Sequence, residues 1–142
     1  MGRKRIESFE DLEVYQKLVQ LHLEVHALTL TFPKHEMHEV GSQLRQSLTS
    51  IPANLAEGWN NRHINVYLEG INRSLGELRE TKHHLTVSFK KGYFAQVKFD
   101  HLVARYDECG RMLKGLERAL LRFAPEHLPP ITYDLMKAGS WF

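Results

Sequence analysis

Two groups of residues in this chain have the types and spacing to do chemistry, the histidines and a run of regularly spaced bases toward the end. His22 and His26 stand four apart, as two helix-borne metal ligands would, and His35, His38 and Glu39 follow. Leu23 rather than Glu follows the first of them, so the zinc-protease pattern with its general base is missing. A di-iron bundle needs Glu-x-x-His on two facing helices, and within the predicted helices Glu80–His83 has no such counterpart. Ser88 and Lys91 have the outline of an acyl-transfer nucleophile but fall at a helix end without the partner motifs. There is no glycine-rich phosphate loop, and the single cysteine, Cys109, allows neither an internal disulfide nor a multi-cysteine zinc site. The expectation is a protein with no catalytic residues, no metal and no cofactor.

The bases suggest a different role. Arg111, Lys114, Arg118 and Arg122 recur at intervals of 3, 4 and 4, which puts them on one face of a helix, apart from the Leu113, Leu116 and Leu120 stripe. Arg79, Lys82 and Lys90 add charge on the preceding helix. The net charge is only +2, yet residues 62–122 hold twelve Lys or Arg against seven Asp or Glu. A wall of this kind binds phosphates without regard to base sequence and loses affinity steeply with salt. The competing reading is an ordinary solvated surface, in which Glu77, Glu80 and Glu117 neutralise the bases one turn away.

Positioning these groups falls to helices. Val14, Leu18, Leu21, Val25, Leu28 and Phe32 recur at helical spacing behind a candidate N-cap, Ser8, and Pro33 ends the run. Similar stripes run from Met37 to Leu55, from Ile64 to Phe89 and from Leu102 to Phe123, with Gly58 as a candidate C-terminal cap and Gly92 after the third. No segment alternates as a strand would. The expected fold is all-α, an antiparallel up-down four-helix bundle over residues 1–124 with an irregular, proline-containing tail over 125–142. A chain of 142 residues that is 42% hydrophobic and 25% charged suits one globular domain. No apolar run reaches the length of a membrane span and no signal-peptide core is present, so a cytoplasmic protein without membrane contact is expected.

Two features exceed what a simple bundle requires. The first helix carries a second apolar stripe, Leu12, Val19, Leu23 and Leu30, which fits either a subunit interface or cover by the tail. In the second helix, Pro52 falls where the stripe says helix continues. The helix either kinks, with Thr49 or Ser50 relieving the freed carbonyl, or breaks and restarts.

Phe9-Glu10-Asp11-Leu12-Glu13-Val14-Tyr15, Phe32-Pro33-Lys34-His35-Glu36, Gln43-Leu44-Arg45-Gln46-Ser47, Ser74-Leu75-Gly76-Glu77-Leu78 and above all Ser50-Ile51-Pro52-Ala53-Asn54-Leu55-Ala56-Glu57-Gly58 carry a resemblance. The chain resembles, over about residues 7–123, the bacterial four-helix-bundle family encoded in 23S rRNA intervening sequences. Leu55 replaces a more frequent Ile, and Thr49 a frequent Ala or Val. The resemblance implies a homopentamer around a central channel. A related branch, the accessory variability determinants of diversity-generating retroelements, is basic, binds nucleic acid and partners a reverse transcriptase. The resemblance also implies a structural role for Arg45, Ser50, Asn54, Glu57, Ser74 and Glu77, either as buried hydrogen bonds between the second and third helices or as subunit contacts, with Arg45 pairing Glu57 or Glu77. A small-ligand pocket built from the same residues is the rival.

The expected function is a non-enzymatic homo-oligomeric adaptor that binds RNA or DNA through Arg111, Lys114, Arg118, Arg122, Arg79 and Lys82, with a reverse transcriptase as a partner to test. The alternative is a homo-oligomeric scaffold that binds protein alone.

Overall fold

Apolar residues at three- and four-residue intervals bury one face of each of four α-helices in the computed structural model, which describes residues 5–123. They are α1 (Glu13–Thr29), α2 (Val40–Gly58), α3 (Ile64–Lys90) and α4 (Gln96–Phe123). Short connections make consecutive helices antiparallel, and the described residues contain no strand. Leu21 and Val25 of α1, Leu44 of α2, Ile71 and Leu85 of α3, and Leu102 and Leu113 of α4 are wholly buried in the shared core. The tail from Pro125 onward lies outside the described residues.

Helix boundaries differ from the sequence reading where local hydrogen bonds win. Ser8 precedes a 3-10 turn over Phe9–Asp11 rather than α1, and the Asp11 carboxylate accepts the Ser8 and Glu7 backbone N–H groups at 3.1 and 2.9 Å. Leu12 is then extended (φ −69°, ψ 125°), so α1 begins at Glu13. Met37, expected to open the second stripe, follows another 3-10 turn and is 49% exposed. Gly58 is the last residue of α2 rather than a left-handed cap, and Asn60 takes the positive φ of 51° instead.

The closest helix contact explains why Gly58 is glycine. A Cβ on Gly58 would stand 2.9 Å from the Val66 carbonyl oxygen, and one on Gly70 would stand 2.7 Å from that of Asn54. Both are shorter than atoms tolerate, so α2 and α3 cross backbone to backbone. Small buried hydroxyls continue this seam. Ser74 donates to the Ile51 carbonyl at 2.7 Å, Thr81 donates to Ser47 Oγ at 2.8 Å, and Ser47 donates to the Leu44 carbonyl at 3.1 Å.

Helix α2 runs through Pro52 without a break, and the proline itself is buried. Thr49 and Ser50 do not relieve the Leu48 carbonyl that it leaves unmatched. Their hydroxyls donate instead to the Arg45 and Gln46 carbonyls at 3.0 and 2.9 Å.

The far end of the bundle is closed by one carboxylate. Glu36, in the α1–α2 connection, is fully buried and accepts Lys91 Nζ at 2.8 Å and the Tyr93 hydroxyl. These two hydrogen bonds hold its carboxyl well below the usual range, at about 2. Aromatic rings seal the same end, with Phe32 5.1 Å from Tyr93 and Phe89 4.7 Å from Phe99 between centroids. Gly92, at φ +84°, makes the turn that brings Tyr93 back to Glu36.

Two glycine substitutions on α3 should therefore act in opposite directions. Gly70→Ala forces the α2–α3 crossing apart and should cost about 1–3 kcal/mol. Gly76→Ala meets nothing within 4 Å and should add up to about 1 kcal/mol through helix propensity. Urea unfolding midpoints of the two variants, read by circular dichroism, check the pair.

Candidate nucleic-acid interface

The two halves of α4 treat their bases differently. In the first half, Lys98, Arg105 and His101 approach Glu24 of α1 at 2.7, 3.2 and 3.7 Å. The Lys98 hydrogen bond leads in holding the Glu24 carboxyl below its usual range. Lys17 and Glu108 add a second α1–α4 ion pair. This side of α4 is electrostatically matched.

The second half is not. Arg111, Lys114, Arg118 and Arg122 are all exposed. Among the described residues, none of the four has a carboxylate within ion-pair distance. The acids expected to neutralise them form no ion pair with them. Glu80 lies 3.5 Å from His84. Glu77 is half-buried, and its carboxyl is pushed up by burial and then by neighbouring Glu80. Glu117 turns inward until it is 8% exposed, and burial pushes its carboxyl up against the opposing pull of nearby Arg118 and Lys114.

On α3, Arg79 is exposed and free of ion pairs among the described residues, but Lys82 is half-buried and bound to Asp107 of α4. Lys82 therefore brings less free charge than the sequence reading assigned to it. Arg79, Lys82, Arg111 and Lys114 border one groove between α3 and α4, and Arg118 and Arg122 continue the same charge beyond it along α4.

The proposed interface stripe on α1 is divided. Leu23 and Leu30 are 68% and 61% exposed, and Val19 is half-buried. Leu12 packs against the core of its own bundle. His22 and His26 stand with ring centroids 6.2 Å apart, and burial lowers the pKa of His22. No three His, Cys, Asp or Glu side chains among the described residues are grouped as a metal would require. Cys109 is buried, which pushes its thiol up to about 11.

The polar motif around Pro52 is not one network. Ser74 alone of its six members forms a cross-link between α2 and α3. Ser50 and Asn54 bond within α2, where Asn54 Nδ2 donates to the Ser50 carbonyl at 2.8 Å. Glu57 is exposed. Arg45 pairs with neither Glu57 nor Glu77 but spans to the α1–α2 connection, donating to the Met37 carbonyl at 2.5 Å and to Thr29 Oγ1 at 3.2 Å. Asn54 and Glu57 do share a small crevice with Glu69 and Arg73 beside the glycine crossing. Sequence reasoning missed Glu36, Ser47 and Thr81. Ser47 and Thr81 could have been found as polar residues in phase with an apolar stripe, whereas Glu36 lies in a connection with no periodicity.

Among the described residues several buried polar atoms lack a hydrogen-bond partner, namely Glu36 Oε1, Asn65 Oδ1, Asn72 Oδ1, the Tyr106 hydroxyl and Glu117 Oε2. The Lys82–Asp107 pair and the packing of Leu68 against Leu120 fix the α3–α4 register, which brings Asn72 level with Glu117.

The model of the 23S rRNA-intervening sequence proteins matches residues 10–115, well over half of the chain. No curated protein matches the sequence.

Because burial raises the Glu117 pKa above its unfolded value, the ionised side chain destabilises the fold at neutral pH. That penalty is absent below the unfolded value near pH ~4.3 and grows as pH rises toward the folded one. Glu117→Gln should thus be more stable than the native chain by about 1 kcal/mol at pH 7, with the gap closing near pH ~4. Thermal unfolding of both proteins across this range provides the check.

Proposed function

The chain belongs to the 23S rRNA-intervening sequence protein family, and we propose that it acts by binding rather than catalysis, as a homo-oligomeric adaptor that holds RNA or DNA on the basic face of α4. One observation carries this reading. The Lys and Arg of the first half of α4 that face α1 are ion-paired with acids, whereas Arg111, Lys114, Arg118 and Arg122 are exposed with no carboxylate within ion-pair distance among the described residues. Like charges one turn apart repel by a few tenths of a kcal/mol each. An extended polyanion relieves all four together, and a closed ring of subunits multiplies the effect by presenting several stripes to one strand.

Self-association rests on Leu23 and Leu30, which are large, apolar and more than half exposed on α1. They lie on the face of α1 away from its buried residues Leu21 and Val25, so a partner can cover them without disturbing the core. Five subunits is the number that the resemblance implies, and its retroelement branch makes a reverse transcriptase the protein partner to test. No helix of the described residues is long and apolar enough to cross a membrane, in keeping with a cytoplasmic adaptor.

Labelled RNA and DNA oligonucleotides, titrated at low and at physiological salt, test the nucleic-acid half of the proposal. The native protein should bind with a log–log salt slope of roughly −3 or −4 for four phosphate contacts. Arg118→Glu combined with Arg122→Glu should weaken binding at least tenfold. No binding at low salt, or equal affinity of both proteins, would replace this reading with the protein-only scaffold.

Light scattering tests the oligomer. The native chain should elute as a multiple of its 16.6 kDa protomer, and Leu23→Glu should give soluble, folded, dissociated chains. A native monomer at micromolar concentration would remove the ring from the account.

A further inference from the structure

Glycine in a helix interior weakens the helix relative to alanine, so each one calls for a reason. Gly58 and Gly70 find theirs in the α2–α3 crossing. Gly115 has none within its own chain. It lies in mid-α4, and apart from its own turns of helix a Cβ there would meet only the Arg118 guanidinium, at 3.9 Å. Its place is inside the basic row. Arg111, Gly115, Arg118 and Arg122 follow at intervals of four, three and four, the spacing that aligns residues along one helix face. Gly115 therefore leaves the α4 backbone bare between two exposed arginines.

A bare stretch of helix between unpaired bases suits a partner that is anionic and comes close. From Arg111 to Arg122 the row is straight and about 16 Å long at 1.5 Å per residue. That length matches about five base pairs of a duplex at 3.4 Å each. Over it, paired strands present twice the phosphates of one strand, and they present them in a fixed array. A rigid row thus gains more charge and has less of its partner to order. A single strand would need compensation from its bases. The exposed side chains of this face, Arg79, Arg111, Lys114, Arg118 and Arg122, include no aromatic ring to stack on, and Leu75 and Leu78 beneath them are buried. Asp107 and Glu108, one turn before Arg111 and paired with Lys82 and Lys17, end the positive row on that side.

We propose that the row from Arg111 to Arg122 seats the sugar–phosphate backbone of a nucleic-acid duplex, with Gly115 as the point of closest approach. This rests on the nucleic-acid reading above and narrows it to the paired form. Arg111 and Arg118 take phosphates on either side of Gly115, and Lys114 and Arg122 extend the contact. Arg79, on the other bank of the α3–α4 groove, stands a helix-packing distance of about 8–10 Å away and meets the second strand. Contacts of this kind carry no base sequence, so a DNA and an RNA duplex share the chemistry.

The test compares dissociation constants for a mixed-sequence DNA duplex, the matching RNA duplex and an oligothymidine strand of equal length, with the native oligomer and the Gly115→Leu variant. Leucine favours helix over glycine, and the position is open. Circular dichroism melting should therefore show a variant at least as stable as the native chain, and light scattering an unchanged oligomer. The native protein should bind duplex several-fold more tightly than the single strand at low salt. For four neutralised phosphates the log–log salt slopes should be about −3.6 for duplex and −2.8 for the strand. Gly115→Leu should weaken duplex binding tenfold or more, because its side chain holds a rigid surface off, and the flexible strand much less. Should Gly115→Leu misfold or dissociate, Gly115→Ala should show the same loss in smaller measure. A duplex preference that the variant loses supports the seat, and the tighter duplex identifies its source as DNA or RNA. A single strand bound as tightly as both duplexes, or more tightly, overturns the duplex seat and leaves the nucleic-acid reading standing. Unchanged duplex affinity in folded Gly115→Leu overturns the close approach. Native protein that binds neither form overturns both.

Discussion

Helices α2 and α3 touch backbone to backbone at Gly58 and Gly70, where the smallest side chain, a single methyl, would stand within 2.9 Å of a carbonyl oxygen. Most of what is particular to this bundle follows from that approach. Side chains between the two helices have to be small, and the polar ones have to find partners within the seam. Ser74 takes the Ile51 carbonyl, and Thr81 takes Ser47. Buried hydroxyls so placed are satisfied, and they fix the axial register of α3 against α2 more narrowly than leucines alone would. With one face of α3 set in this way, its next face is left to α4, where Leu75 and Leu78 meet Gly110 rather than a filled ridge.

Charge follows a similar division of labour. Glu24 gathers Lys98, His101 and Arg105 across the α1–α4 contact, and Glu36 gathers Lys91 and Tyr93 at the end of the bundle. The part-exposed Glu24 pairs contribute about 0–1 kcal/mol each, so they orient more than they stabilise, whereas the Glu36 carboxylate is wholly buried. Their larger consequence is negative. Carboxylates engaged with α1 or with the bundle end are unavailable to the second half of α4, and Glu117, turned inward, forms no ion pair with Arg118 or Lys114 and acts on them only through space. The positive face there results from where the acids went as much as from where the bases are.

Period and punctuation made the helices legible, since an apolar residue every third or fourth position has one physical meaning in a chain without strand alternation. The basic stripe was legible for the same reason. What the sequence hid was polar. Arg45 looked like a partner for Glu57 or Glu77 because opposite charges suggest pairing, yet it binds a main-chain carbonyl and a threonine near the α1–α2 connection. Gly58 looked like a cap because glycine commonly is one, whereas it serves a helix crossing with a residue twelve positions on. Glu36 had no periodic signal, being one of two acids in a short connection, and its two partners come from the α3–α4 turn, more than fifty residues away. Hydrophobic pattern is local and periodic. Buried hydrogen bonds are long-range and aperiodic, and one sequence does not display them.

The central claim is that nucleic acid meets the protein along the α3–α4 face and not on α1. Photocrosslinking tests it most directly, with an oligonucleotide carrying 4-thiouridine at every other position, the native protein, and mass spectrometry of the linked peptides. The account predicts crosslinks within residues 75–82 and 110–122 and none on the α1 face that carries Leu23 and Leu30. Crosslinks concentrated on α1, or none from a complex that forms at low salt, would contradict it.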